Sequence, residues 1–530
     1  MSDATTLDDA PGLPDRGARL LLGAVFFAAL SGLVYELVAG ALSSYLLGDS
    51  VTQFSLVIGV FLTSMGIGSW LSRRIVRRLV PALIAIEVLV GVIGGSTALI
   101  GFAAFAFTDH VTVILLGQVV VVGTLVGLEI PLVLRILDEV STLRVNVANV
   151  FAVDYVGALA ASLAFPFLLL PHLGLVRAGL VAGLLNVVVA MVLLRGLRAH
   201  LGRARGALWT LTLASALALA IGTATAGGAT RFLEDRVYQD DVILAVDTPL
   251  QRLVVTRWRG DLRLYLDGHL QFSSIDEYRY HETLAQPALA LADRRSDVLI
   301  LGGGDGLLAR EVLRHADVAR VDLVDLDPVV LELFAENPRL VALNGGSLTD
   351  PRVTVHARDA MEFLETCDRT FDVILVDLPD PSRVALAKLY SRTFYRLCLR
   401  RLSEGGIVAT QATSPFRSRE AFWCVAETLA ATARTVDGEP VRRLHAHPYH
   451  TVIPTFGTWG FVLAGDRPRS ADLTEEDLEL PDGNRYLRAE LLPTLFTFPE
   501  DMQPVEVEVN DLVDPVIERY YRRGYHRYLE

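Results

Sequence analysis

Four aspartates stand where apolar runs give out in the second half of this chain: Asp305 in "VLILGGGDG", Asp325 in "VARVDLVDLDP", Asp359 in "RVTVHARDA" and Asp377 in "FDVILVDLPDP". Each run has the length and composition of a buried strand, and open α/β sheets bind ligands at the carboxyl ends of their strands. The turn before Asp305 carries Gly302, Gly304 and Gly306 as G-x-G-x-G; a dinucleotide fingerprint would need glycine at 307, which is leucine. That spacing suits an adenosyl sulfonium donor lying on the backbone without a pyrophosphate. Asp325 is placed to accept from both ribose hydroxyls, and Asp359 from the exocyclic amine of adenine. Any one of these acids could simply cap a turn. Four on successive strand ends resist that explanation.

The elements that must position them follow from the pattern. Residues 229–236 read as a linker, and 237–285 alternate in strand fashion through "LQRLVVTRW" and "LRLYLDGHLQF", giving a linker and small β-subdomain over 229–285. From 297 the order strand, turn, helix repeats, with "GGIVATQA" as a later strand, so 286–465 is expected to be a Rossmann-like, methyltransferase-type α/β domain. Residues 466–530 are expected to be a helical extension packed on it, with aromatic and arginine repeats in "RYYRRGYHRYLE".

The first half is different material. After a tail at 1–19, residues 20–228 are almost continuously apolar and predict an all-α transmembrane bundle of seven helices, near 20–46, 51–71, 80–106, 112–134, 149–170, 174–194 and 207–227. Arginines gather in alternate loops, at 73, 74, 77 and 78, at 135 and 144, and at 195, 198, 203 and 205, whereas the other loops carry only Arg177. The positive-inside rule puts those loops and the N-terminus in the cytoplasm. Seven crossings of a cell membrane would then leave residues 229–530 outside the cytoplasm. Glu36, Glu87, Glu129 and Asp154 lie in or near these spans and should face the bundle interior, either as protonated hydrogen-bonding acids or as contacts for a cation.

A formal charge of −13 and a pI near 5.4 argue against a nucleic-acid partner, because phosphate contacts need a basic surface. Cys367, Cys398 and Cys424 are odd in number and widely spaced, which fits reduced core thiols and neither a disulfide frame nor a metal site. Lys388 is the only lysine, and it falls near the loop after Asp377.

Residues 237–465 resemble the spermidine synthases, or polyamine aminopropyltransferases, in a membrane-fused form. The marks are "DEYRYHE" (276–282), "GGGDG" (302–306), Asp325, Asp359–Ala360 and "DLPDP" (377–381), in family order. The resemblance implies that Gln251, His281, Asp305, Asp325, Asp359 and Ala360, with the glycine turn, bind decarboxylated S-adenosylmethionine as co-substrate, with no permanently bound cofactor. It implies that Tyr280, Asp377, Asp380 and Gln411 hold a polyamine, with Asp377 catalytic; a homo-oligomer is left open. Two departures bear on the acceptor: the loop after Asp380 reads "SRVALAKLYS", and "IPTF" puts Phe456 where the family has a tyrosine.

Elementary chemistry points the same way. The decarboxylated donor ends in an ammonium where S-adenosylmethionine also carries a carboxylate, so Asp305 would attract the first and repel the second. The sulfonium leaves as a neutral thioether, and the demand falls on the amine, which must shed a proton near a carboxylate such as Asp377. Asp380, three residues on, would fix a cationic nitrogen. A methyltransferase using S-adenosylmethionine, and a polyamine transporter or sensor without turnover, are the competing readings.

Overall fold

The computed structural model describes residues 15–47, 50–108, 110–138, 142–238, 240–248, 250–436, 439–466 and 480–526. They fall into two compact units, Met1–Pro249 and Leu250–Glu530.

The first unit is helical: α1 (Asp15–Leu47), α2 (Ser50–Leu71), α3 (Leu79–Gly95), α4 (Thr97–Phe107), α5 (Val111–Leu137), α6 (Leu143–Ala164), α7 (Leu170–Gly196) and α8 (Arg205–Tyr238), with strand β1 (Asp241–Asp247) at its end. Among the described residues five helices are long and apolar enough to cross a membrane, or six if α3 and α4, bent by 41°, form one span. The expected segments 149–170 and 174–194 lie in one apolar helical stretch of 54 residues, Leu143–Gly196. Unbroken, it would run about 81 Å, against a bilayer core of about 30 Å. It breaks at Gly174, whose φ of 69° and ψ of 175° leave the helical region.

The unit's polarity is inverted relative to a water-soluble bundle. Leu62, Leu159 and Phe167 are 58%, 59% and 76% exposed, while Glu87, Glu129 and Asn186 are 1%, 5% and 0% exposed. Asn186 Nδ2 donates to Glu87 Oε2 at 3.2 Å, and Glu87, Glu129 and Asp154 line one small cavity that Glu36 does not reach. Arg135 ties off the turn after α2, donating to the carbonyls of Ile75 at 2.9 Å and Ser72 at 2.8 Å. The expected linker at 229–236 is instead the last turns of α8, because "ATRFLEDR" contains neither proline nor glycine to stop a helix.

The second unit opens with an antiparallel meander, β2 (Arg252–Trp258), β3 (Asp261–Leu266) and β4 (His269–Ser273), whose β3–β4 turn places Asp267 and Gly268 at φ of 49° and 81°. Helix α9 (Glu277–Leu291) leads into the sheet strands β5 (Asp297–Gly302), β6 (Arg320–Asp325), β7 (Val353–Ala357), β8 (Phe371–Asp377) and β9 (Leu402–Gln411). A side hairpin follows, β10 (Ala433–Val436) with β11 (Glu439–Arg443), then β12 (His445–Ile453) and β13 (Gly457–Gly465). The sheet order is β12-β13-β9-β8-β5-β6-β7, parallel from β7 through β9 and antiparallel in the last two strands.

Strands β5 and β8 are buried along nearly their whole length, as central parallel strands covered on both faces must be. The helices of this unit are α10 (Leu307–Val312), α11 (Pro328–Glu336), α12 (Pro338–Asn344), α13 (Ala360–Thr366), α14 (Val384–Ala387), α15 (Arg392–Arg401), α16 (Arg419–Ala430), α17 (Leu492–Leu495) and α18 (Val516–His526). The tail is less helical than expected: between 480 and 526 only α17, α18 and one 3₁₀ turn are helical, and 467–479 and 527–530 lie outside the described residues.

Candidate active site at the strand ends

After β5 the chain runs outward to β6 and β7, then returns to pair β8 on the other side of β5, so the crevice opens at the carboxyl ends of β5 and β8. There the backbones meet closely. The Gly303 N–H donates to the Asp377 carbonyl at 3.2 Å. Gly302 sits at φ 86°, and a Cβ there would run into that same carbonyl. A Cβ on Gly304 would lie 2.7 Å from Asp325 Oδ2, which accepts the Gly304 N–H at 3.0 Å. Gly302 and Gly304 thus make the short contacts that bring β5, β6 and β8 together. Gly306 plays another part. It precedes α10 at φ 75°, its carbonyl accepts from Ser347 Oγ at 2.6 Å, and it does not line the cavity.

The crevice is a cavity of about 550 Å³ lined by every other expected site residue. Asp305 lies in the turn, its Oδ1 accepting the Leu307 N–H at 2.9 Å. Burial pushes its carboxyl up to about 6, against the pull of the His281 imidazolium. His281 is 3% exposed, and its Nδ1 lies 2.8 Å from Glu277 Oε2. Burial alone would lower its pKa, but the Glu277 carboxylate, with help from Asp305 and Asp377, raises it to about 9. Arg310 holds Glu277 from the far side at 2.8 Å. His281 is thus a fixed cation among acids.

Asp377, at the end of β8, accepts the Tyr280 hydroxyl on Oδ1 at 2.7 Å. Burial raises its pKa, opposed by His281 and by that hydrogen bond. Gln411 ends β9, where its Nε2 donates to the Leu378 carbonyl at 2.7 Å and to Asp380 Oδ1 at 3.3 Å and also meets the Tyr390 hydroxyl. Burial lifts Asp380 to about 6, with hydrogen bonds from Tyr521, Gln411 and Thr413 pulling the other way.

Where the nucleotide was expected, Asp325 Oδ1 accepts the Asp327 N–H at 3.0 Å, and Gln251 Nε2 reaches Asp327 Oδ2 at 3.1 Å. Asp359 caps α13 through the Met361 N–H at 2.8 Å, and its other oxygen takes Lys388 Nζ at 3.1 Å. Asp359, expected to meet the exocyclic amine of adenine, is thus already engaged twice. Ala360, buried at 7% exposure, begins α13 beside it.

Several lining or supporting groups were not foreseen. Tyr521 and Tyr525 enter from α18, and the Tyr521 hydroxyl donates to Asp380 Oδ2 at 3.0 Å. Their four-residue spacing in the tail was the available signal. Thr413 holds a left-handed φ of 59°, a strained position for a β-branched residue, which lets its N–H donate to Gln411 Oε1 at 2.9 Å. Phe456, already expected to bear on the acceptor, lines the cavity with Trp459, their ring centroids 5.1 Å apart. Nothing in their sequence context marks Thr413 or Trp459.

The Spermine/spermidine synthase domain matches residues 277–473. A protein of Leptospira interrogans named polyamine aminopropyltransferase is 42% identical over 511 residues, covering 96% of this chain and 98% of its own. Polyamine aminopropyltransferase 1 of Ralstonia nicotianae is 45% identical over 528 residues, covering 98% of both. A crystal structure of spermidine synthase in complex with the transition state analogue AdoDATO is 26% identical, covering 49% of this chain and 85% of that one with a TM-score of 0.43.

Proposed function

The chain belongs to the polyamine aminopropyltransferase family, and on that premise we propose that it moves the aminopropyl group of decarboxylated S-adenosylmethionine to a di- or polyamine, putrescine to spermidine being the simplest case, with release of methylthioadenosine. The observation that carries the proposal is the pair Asp305 and Asp377 on one cavity, the first beside the glycine turn and the second held by Tyr280. Asp305 supplies a negative partner for an ammonium at the end of the donor and would repel the carboxylate that S-adenosylmethionine carries there.

In the transfer, the acceptor nitrogen forms a C–N bond to the propyl carbon next to sulfur while that C–S bond breaks. The sulfonium takes both electrons and departs as a neutral thioether. The nucleophile must be an unprotonated amine, and ordinary alkyl amines are protonated at neutral pH. Asp377, its carboxylate aimed by the Tyr280 hydroxyl, accepts or relays that proton and directs the lone pair. Asp380 and Gln411 hold the rest of the acceptor. Thioether release from the purified protein, assayed with each donor in the presence of putrescine, tests this directly. Turnover with the decarboxylated donor alone supports it, and methyl transfer from S-adenosylmethionine would replace it.

We further propose that the helical unit anchors the enzyme in the cell membrane as a multi-pass bundle. Its exposed leucines and phenylalanines and its buried glutamates support that reading, as does Trp70 with Arg73 stacked 4.0 Å from its ring at the end of α2. If the two sides of the Gly174 break cross separately and α3 with α4 crosses once, the count becomes seven, which favours an extracytoplasmic catalytic unit.

A further inference from the structure

Asp380 differs from Glu277 and Asp359 in how its charge is met. Glu277 faces Arg310 at 2.8 Å and Asp359 faces Lys388 at 3.1 Å. The hydrogen bonds to Asp380 come instead from neutral donors: Tyr521 at 3.0 Å, Gln411 at 3.3 Å and Thr413 at 3.5 Å. Such a set orients a carboxylate without neutralising it. A cation from outside completes the site.

The tyrosine comes from an unexpected place, 141 residues along the chain. Helix α18 is pinned by Val516 and Ile517, which are 2% and 0% exposed. Gly524 seats it against the start of α16, since a Cβ there would lie 2.7 Å from the Arg417 carbonyl. Tyr521 and Tyr525, one turn apart, thereby line the cavity together with ring centroids 4.5 Å apart. A phenol that donates to a carboxylate keeps its lone pairs and ring face for an N–H cation, and two rings beside one carboxylate make a partial aromatic cage.

We infer that Tyr521 and Tyr525 form the far wall of the acceptor site and determine its specificity, holding with Asp380 the distal ammonium of a linear diamine while the other nitrogen reacts at Asp377. This rests on the reading that Asp380 binds the acceptor. Both tyrosines lie outside the residues that match the synthase domain, which end at 473. The recognised class is an amine with two cationic ends. A monoamine of the same length has nothing to place there.

The test is steady-state kinetics of the full-length protein with putrescine and with 1-aminobutane, for wild type, Tyr521→Phe, Tyr525→Leu and Asp380→Asn. Each tyrosine change should raise the putrescine KM about tenfold, shrink the preference for the diamine, and leave the donor KM within about twofold. Asp380→Asn should do the same more strongly. If Asp380→Asn raises the putrescine KM while both tyrosine variants keep wild-type KM and preference, the inference falls and the acceptor site stands. If Asp380→Asn changes nothing, the acceptor site itself is misassigned. A parallel rise in donor KM in the tyrosine variants would reduce α18 to a structural brace and overturn the inference.

Discussion

The Tyr280 hydroxyl donates to Asp377 Oδ1 at 2.7 Å while the Asp377 backbone carbonyl accepts the Gly303 N–H, so one residue is held by the α9 helix and by the glycine turn at once. The glycine turn and the proposed proton acceptor are therefore joined by a direct hydrogen bond.

Tyr280→Phe keeps the ring, which packs edge-on against Phe461 at 5.2 Å, and removes only the hydroxyl. That hydroxyl stabilises the carboxylate, so without it the Asp377 pKa rises further above its ordinary value. The reactive form being unprotonated, the acid limb of the kcat profile should move to higher pH. The rate at its plateau should fall about 10- to 100-fold. An acid limb that moves down would contradict the assignment.

Asp305 titrates near 6 in the folded protein because burial disfavours its charge. The donor's ammonium favours that charge, so donor affinity should be full above this pH and fall as the pH drops through it, by about tenfold per unit. Calorimetric titration with the decarboxylated donor at about pH 7.5 and about pH 5 reads the slope, and Asp305→Asn should flatten it. Identical slopes in wild type and variant would remove Asp305 from donor recognition.

Lys388 is the single lysine of the chain and bonds Asp359, the proposed adenine contact. An amine-directed acylating reagent should label it alone among side chains, and methylthioadenosine should slow that labelling at least severalfold. Mass mapping distinguishes this from the α-amino group. Labelling indifferent to the nucleoside would place adenine away from Asp359.

Much of this site is legible in the sequence because parallel strands are read as unbroken apolar runs, and the first polar residue after each run falls at the crevice. Asp305, Asp325 and Asp377 are found that way. Contacts between distant segments are not legible. No local pattern pairs Tyr521 with Asp380, Lys388 with Asp359 or Gln251 with Asp327. Helix α8 overran its expected end because apolarity falls before helix propensity does. The break at Gly174 falls at the boundary expected between segments 149–170 and 174–194.

The sidedness proposed for the catalytic unit depends on how the stretch around that break crosses. With the two halves of Leu143–Gly196 as separate crossings the count is seven, and a fluorescent protein that matures only in the cytoplasm, fused after Glu530, should stay dark. A bright fusion would mean that the count of seven or the orientation with the N-terminus in the cytoplasm is wrong.

The most direct measurement is the single-turnover rate of aminopropyl transfer in Asp377→Asn, with enzyme in excess and donor saturating. The amide preserves size and still meets the Tyr280 hydroxyl, so methylthioadenosine affinity should stay near wild type. The transfer rate should fall by about 10²–10⁴, the worth of a positioned acid or base. A wild-type rate in that variant would take Asp377 out of the chemistry and with it the proposed mechanism.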